Sequence, residues 1–268
     1  MMNAMINASS TTARIDELSA RLLAQNPGVA ILLTTTRINT WLGARSLSSA
    51  SGFFFRTDAR LFLVTNRHVL ADVPSGHFPD RIEIELHTDA RDLTRCTAFS
   101  IPLYGNGLGL WRQATDVGGA VDVAIIEIDV ERLPGPAVLQ PFEAAHLQAR
   151  GESVTIGDAL TVIGFPLGFH DTVHHLAVAR SASIASAYGV RFQQQGYFLT
   201  DARTHRGSSG APVLRRRSST RPDDDSPLSW QLLGIHSTRM DMRTRDLVAD
   251  ESLGLNCAWY ANVLTTLA

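Results

Sequence analysis

Cysteine is scarce in this sequence: only Cys96 and Cys257 occur among 268 residues. Two thiols so far apart exclude a disulfide framework and lack the paired spacing of a zinc site, so both read as buried thiols. Long apolar runs are also missing. No stretch of about 18 consecutive apolar residues exists, so no transmembrane helix is expected. Residues 1–14 are rich in Asn, Ser and Thr and lack the basic-then-apolar order of a secretory leader, which makes a cytoplasmic location the default expectation. Neither charge dominates, since 24 Lys and Arg face 26 Asp and Glu for a net charge of −2. Such a balance offers no polyanion-binding surface, so neither nucleic acid nor a membrane is expected as a partner.

What is present is an ordinary globular composition, 44% hydrophobic and 19% charged. The length suits a single all-β unit with a substantial core. Ile15, Leu18 and Leu22 fall at helical spacing, with Asp16 and Glu17 in the first turn and Asn26-Pro27-Gly28 as a stop, which predicts a short amphipathic helix over 12–25. Beyond it the pattern turns to short β segments, at 29–36, 51–56, 61–65, 81–86 and 121–130. Glycine and proline at 133–141 mark a crossing between two halves. The second half places strands at 159–163, 197–202, 212–214 and 230–237, and Leu255, Trp259, Val263 and Leu267 predict a closing helix over 253–267. Residues 215–227, three arginines followed by serines and Asp223-Asp224-Asp225, read as a solvated loop.

Three short stretches carry chemistry: Thr65-Asn66-Arg67-His68-Val69-Leu70, Val121-Asp122-Val123-Ala124 and Gly207-Ser208-Ser209-Gly210-Ala211-Pro212. A serine hydroxyl is a poor nucleophile at neutral pH and needs a neutral imidazole to take its proton, with a carboxylate to hold that imidazole in one tautomer. His68, Asp122 and Ser209 supply those types. Asp116 and Asp129 are rivals for the carboxylate but lack the Asp-Val-Ala context. Glycines on both sides of Ser209 allow a tight turn that aims the N–H groups of Gly207 and Ser209 at one point, an oxyanion hole. An α/β-hydrolase would run Ser, Asp, His and place Gly-x-Ser-x-Gly before a helix, whereas Ala211 and Pro212 follow here.

The order His, Asp, Ser and these contexts resemble the chymotrypsin family, in its bacterial trypsin-like branch close to the high-temperature-requirement peptidases. Leu199-Thr200-Asp201-Ala202-Arg203, Val162-Ile163-Gly164-Phe165-Pro166-Leu167-Gly168 and Leu233-Gly234-Ile235-His236-Ser237 extend the resemblance over most of the chain. It implies an all-β fold of two six-stranded antiparallel barrels with short N- and C-terminal helices. The domain boundaries follow: an extension at 1–28, then a peptidase domain at 29–268, with a first barrel at about 29–132, a second at about 150–252 and the closing helix. It implies a serine endopeptidase acting on polypeptide through an acyl-enzyme on Ser209, in the cleft between barrels, with no cofactor.

Digestive relatives carry Asp where Ser208 stands, so their zymogen ion pair is not expected, and activity would need either a preformed oxyanion hole or ordering of loops by substrate or an activating protein partner. Thr204 and His236 match positions that line the specificity pocket of glutamyl endopeptidases, with Arg203 nearby, which suggests a preference for Glu or Gln before the cut. The alternative is a catalytically silent or partner-activated scaffold. His174-His175, if on a strand, would point to opposite faces, and no metal site is expected from them. Gly105-Asn106-Gly107-Leu108-Gly109 reads as a surface turn.

Overall fold

The computed structural model describes residues 17, 27–58, 60–149, 152–217, 229–240 and 253–268. The helix expected over 12–25 and most of the 215–227 loop lie outside the described residues. Nearly all regular structure is antiparallel β. Strands β1 (Thr35–Leu42), β2 (Arg45–Thr57), β3 (Arg60–Thr65), β4 (Arg81–His87) and β5 (Cys96–Pro102) lead to a small hairpin, β6 (Tyr104–Gly105) and β7 (Leu108–Gly109). The first half ends with β8 (Trp111–Asp116) and β9 (Gly119–Ile128). The second half contains β10 (Ala159–Gly164), β11 (Val178–Ser183), β12 (Tyr197–Thr200), β13 (Pro212–Arg216), β14 (Trp230–Arg239) and β15 (Asn256–Tyr260).

Two main sheets result, in the orders β5-β4-β1-β2-β3-β9-β8 and β11-β10-β13-β14-β15-β12, and each curls into a barrel. The first holds seven strands rather than six, because Gly118 and Gly119 (φ 110°) let the chain fold back and pair β8 with β9. The 105–109 turn is the β6–β7 hairpin, with Asn106 and Gly107 both at positive φ as a two-residue hairpin requires.

Why the strands read as continuous apolar runs is explained by burial on both faces. Phe54 on β2, Leu61 and Leu63 on β3, and Ala124 and Ile126 on β9 fill the interior of the first barrel. Their neighbours Phe53, Phe55, Phe62, Val64, Val123 and Ile125 point the other way, into a second core shared with Phe165, Leu199, Leu232, Ile235 and Trp259 of the second half. Successive residues of a strand face opposite sides, so Phe53-Phe54-Phe55 serves two cores at once. Each fully buried Phe contributes about 1.5–3 kcal/mol of transfer free energy. Residues 133–141 carry the chain across without a strand and end at Phe142, whose N–H donates to Phe54 O and whose ring meets Phe53 edge-on at 5.7 Å.

The first and last segments differ from expectation. A helical turn (Pro27–Ala30) and a 3-10 turn (Leu32–Thr34) occupy most of 29–36, and β1 begins only at Thr35. The chain does end in a helix, but a shorter one: a 3-10 turn (Ala261–Val263) runs into Leu264–Leu267. Asn256–Tyr260 is instead a strand between β14 and β12, since the four-residue spacing of Leu255 and Trp259 also fits a strand buried on both faces. Among the described residues, no helix is long and apolar enough to cross a membrane.

Ser51, fully buried on β2, joins the two barrels. Its hydroxyl donates to Gly207 O (2.8 Å) and accepts from Phe165 N–H (3.0 Å), and its own N–H donates to Ser209 O (2.9 Å). Ser51→Ala leaves a buried N–H and a buried carbonyl without these partners. It is expected to lower unfolding stability by about 2 kcal/mol or more, read from the urea midpoint; an unchanged midpoint would show the bridge to be energetically idle.

Candidate active site

The loop after β3 turns into one helical turn, Arg67–Leu70, with Asn66 extended before it. Asn66 is fully buried and its Nδ2 donates to Asp122 O (2.7 Å), fixing that turn against β9. This sets His68 beside Asp122. The ring Nδ1 of His68 lies 2.7 Å from Asp122 Oδ2, and the backbone N–H of His68 donates to Asp122 Oδ1 at 3.0 Å. Ser237, at the outer part of β14, donates its hydroxyl to Asp122 Oδ2 at 2.6 Å. Burial would raise the Asp122 carboxyl, but the His68 ring, its charge, the Ser237 hydroxyl and the His68 N–H together hold it below the usual carboxylate range. A charged Asp122 in turn favours the tautomer that carries the His68 proton on Nδ1.

Asp116 and Asp129 are elsewhere. Asp116 pairs with Arg191 at 2.8 Å, and Asp129 caps the turn at Glu131.

Gly207, Ser208, Ser209 and Gly210 form the loop into β13. Gly207 (φ 90°) and Gly210 (φ 84°) both occupy the left-handed region. A Cβ on Gly207 would sit 2.5 Å from Phe165 O, and one on Gly210 would fall on Ser51 O and Thr65 Oγ1, so no side chain fits at either place. The turn leaves the N–H groups of Gly207 and Ser209 without a hydrogen-bond partner among the described residues, while Ser208 N–H donates to His205 O and Gly210 N–H to His236 O. Ser209 Oγ donates to Ser237 O at 3.4 Å, and among the described residues no hydrogen bond joins it to His68. His68, Gly207 and Ser209 line one cleft of about 560 Å³, whose lining also includes Ser48, Ser49 and Ala50 of β2.

The three residues expected to set specificity do not line this cleft. Thr204 is buried and donates its hydroxyl to Asn256 Oδ1 at 2.7 Å, Arg203 is exposed, and His236 is buried on β14. Nothing in the sequence assigns a role to Ser237, Asn66 or Ser51, though Asn66 and Ser237 lie within the motif strings around His68 and His236. Both cysteines are free. Cys257 is buried, but Cys96 is only half-buried, and burial pushes its thiol up to about 11. The single group of His, Cys, Asp and Glu side chains able to converge on a metal ion, among the described residues, is Glu85, His170 and His175, none of which lines the cleft.

Burial, with a smaller repulsion from His68, pushes His236 down to about 4. An unfolded histidine titrates near 6.5. The unfolded chain therefore takes up this proton first, and stability falls as pH drops from about 6.5 to 4, by about 3 kcal/mol, then levels off. His236→Gln is expected to flatten that part of the profile, measured as urea midpoints at pH 7, 5.5 and 4.5. A variant profile parallel to wild type would contradict it.

Comparison with known proteins agrees with this architecture. A family model described as trypsin-like peptidase domain matches residues 50–219. The protein named Serine protease HTRA1A from Danio rerio is 27% identical over 170 residues, 63% of this chain and 28% of its own length. Serine protease HTR4 from Bos taurus is 28% identical over 193 residues, 70% of this chain and 32% of its own. The chain thus spans about a third or less of these relatives. A crystal structure of a serine endoprotease from Yersinia pestis superposes with a TM-score of 0.52 at 16% identity, over 91% of this chain and 64% of that one, which speaks for the fold. With a family model covering more than half of its length and a matching double barrel, the chain belongs to the trypsin-like peptidase domain family, close to its high-temperature-requirement branch.

Proposed function

We propose that this chain is a serine endopeptidase in which Ser209 attacks a peptide carbonyl, His68 serves as general base and then general acid, and Asp122 orients His68. The observation that carries the reading is the 2.7 Å contact between His68 Nδ1 and Asp122 Oδ2 on the wall of the cleft that also exposes Ser209. Ser209 Oγ loses its proton to His68 Nε2 as it bonds to the carbonyl carbon. The oxyanion that forms is held by the unpartnered N–H groups of Gly207 and Ser209, an arrangement in which one donor is typically worth about 10² to 10³ in rate. His68 then gives its proton to the leaving amine, and water repeats the cycle on the acyl-enzyme.

The Ser209 hydroxyl rests on Ser237 O. That bond favours a second, gated version of the same reading, in which substrate or a protein partner turns the hydroxyl toward His68 by rotation about χ1. A silent scaffold is the limiting case.

The preference for Glu or Gln before the cut rests on Thr204 and His236. A deeply buried, neutral His236 would recognise such a side chain by hydrogen bonding rather than by charge, which fits Gln as well as Glu. Loop movement must first expose both residues to the cleft.

A fluorophosphonate probe is expected to label Ser209, and Ser209→Ala is expected to lower peptide turnover by about 10⁴ or more with folding intact by circular dichroism. Absence of labelling, with and without peptide ligands, would favour the scaffold. In a peptide library, cleavage after Glu and Gln is expected to exceed cleavage after Ala. Equal rates would remove Thr204 and His236 as specificity residues.

A further inference from the structure

We propose that Glu85, His170 and His175 form a binding site for a divalent transition-metal ion of the zinc class, bridging β4 of the first barrel and the loop that follows β10. One ligand atom from each of the three side chains lies within 4.8 Å of the others. Glu85 Oε2 and His175 Nδ1 face each other at 3.5 Å, and both are shut off from water and lack a hydrogen-bond partner. Apart from this facing contact, nothing among the described residues satisfies either atom, and buried polar atoms are costly to leave so. Their separation is that of two ligands on one tetrahedral ion, since metal–ligand bonds of about 2.1 Å place neighbouring ligand atoms about 3.4 Å apart.

The surroundings orient the other donors as metal sites require. The His170 Nδ1 contact with Gly168 O (2.6 Å) puts the ring proton there and leaves the Nε2 lone pair for a metal. Glu85 Oε1 accepts from Arg37 Nη2 at 2.6 Å, which anchors the carboxylate by one oxygen and leaves the other free to coordinate. Two imidazoles with one carboxylate suit zinc or a similar ion and disfavour calcium and magnesium, which take oxygen ligands almost alone. Three protein ligands leave a fourth position for water.

The adjacent His174 is not part of the set. It turns to solvent and pairs with Asp171 through Nδ1 at 2.8 Å. The left-handed backbone of His175 (φ 55°) separates the two rings and sends His175 inward.

The full chain, stripped with a chelator, is expected to bind one equivalent of Zn²⁺ by titration calorimetry and to give the visible bands of a tetrahedral ion with Co²⁺. His170→Gln, His175→Gln and Glu85→Gln are each expected to weaken Zn²⁺ binding by at least about 10²-fold, whereas His174→Gln leaves it unchanged. Thermal unfolding of the chelator-treated variants identifies those that keep the fold, and the affinity comparison uses these. A wild-type protein with no saturable equivalent, or one whose equivalent survives in the folded ligand variants, overturns the site. Either result stands apart from peptidase activity, which the readout does not use.

Discussion

Ser51 donates from its N–H to Ser209 O and from its hydroxyl to Gly207 O, while Thr65 Oγ1 donates to Ser51 O, so one residue of the first barrel holds the 207–210 loop of the second. These bonds need β2 close against that loop, which is why Gly210 admits no Cβ beside Ser51 O and Thr65 Oγ1, while the carbonyl of Phe165 closes the same space at Gly207. Behind them the shared core of Phe53, Phe55, Phe62 and Val64 against Phe165, Ile235 and Trp259 fixes the distance between barrels. A cleft assembled from two barrels is no more rigid than their interface. Here that interface combines the Ser51 hydrogen bonds with a packed aromatic and aliphatic core, and packed cores resist small displacements.

The electrostatics of the cleft follow from the same closeness. Asp122 is drawn from the first barrel and Ser237 from the second, yet both meet at one carboxylate oxygen, which also receives the His68 ring. Three donors on a largely buried carboxylate keep it ionised despite desolvation. His236, next to Ser237 on β14, is pushed the opposite way, toward the neutral form, by burial and to a smaller extent by His68. In the proposed reaction, a neutral His236 puts no second charged ring beside the imidazolium of His68.

Much of this was legible in the sequence because it is local. The strings around His68, Asp122 and Ser209 name the residues and their order, and the short apolar run at 61–65 and the alternating run at 81–86 became β3 and β4 with nearly the same bounds. Residues whose roles depend on meeting a distant partner were not legible. Ser51 is one serine in Ser48-Ser49-Ala50-Ser51 until the fold sets it against Gly207, and nothing in its neighbours marks it. Asn256–Tyr260 fails for another reason: a strand buried on both faces carries no alternation, and a four-residue apolar spacing fits it as well as a helix. The His174-His175 pair was weighed as a unit, although a single left-handed residue sends the two rings to different partners. Thr204 and His236 show the limit of resemblance, since a matching position does not establish that a side chain reaches the cleft.

Residues 164–176 connect these observations. Leu167 has a left-handed backbone (φ 55°) and an exposed side chain, a combination that burial cannot stabilise. Its conformation is maintained by main-chain bonds: Leu167 N–H to Arg206 O at 2.5 Å, Gly168 N–H to Phe165 O at 2.9 Å and Phe169 N–H to Pro166 O at 2.8 Å. The first of these ends one residue before Gly207, and the carbonyl of Phe165 closes the space where a Gly207 side chain would be. The orientation of the Gly207 N–H is thus set by a strained turn whose near end is clamped by Ser51 and whose far end leads to His170 and His175. Strain of this kind, of order 1–3 kcal/mol per residue, persists only where neighbouring contacts over-determine the backbone. In this protein those contacts come from both barrels, so whatever loosens their junction also loosens the seat of the proposed oxyanion hole.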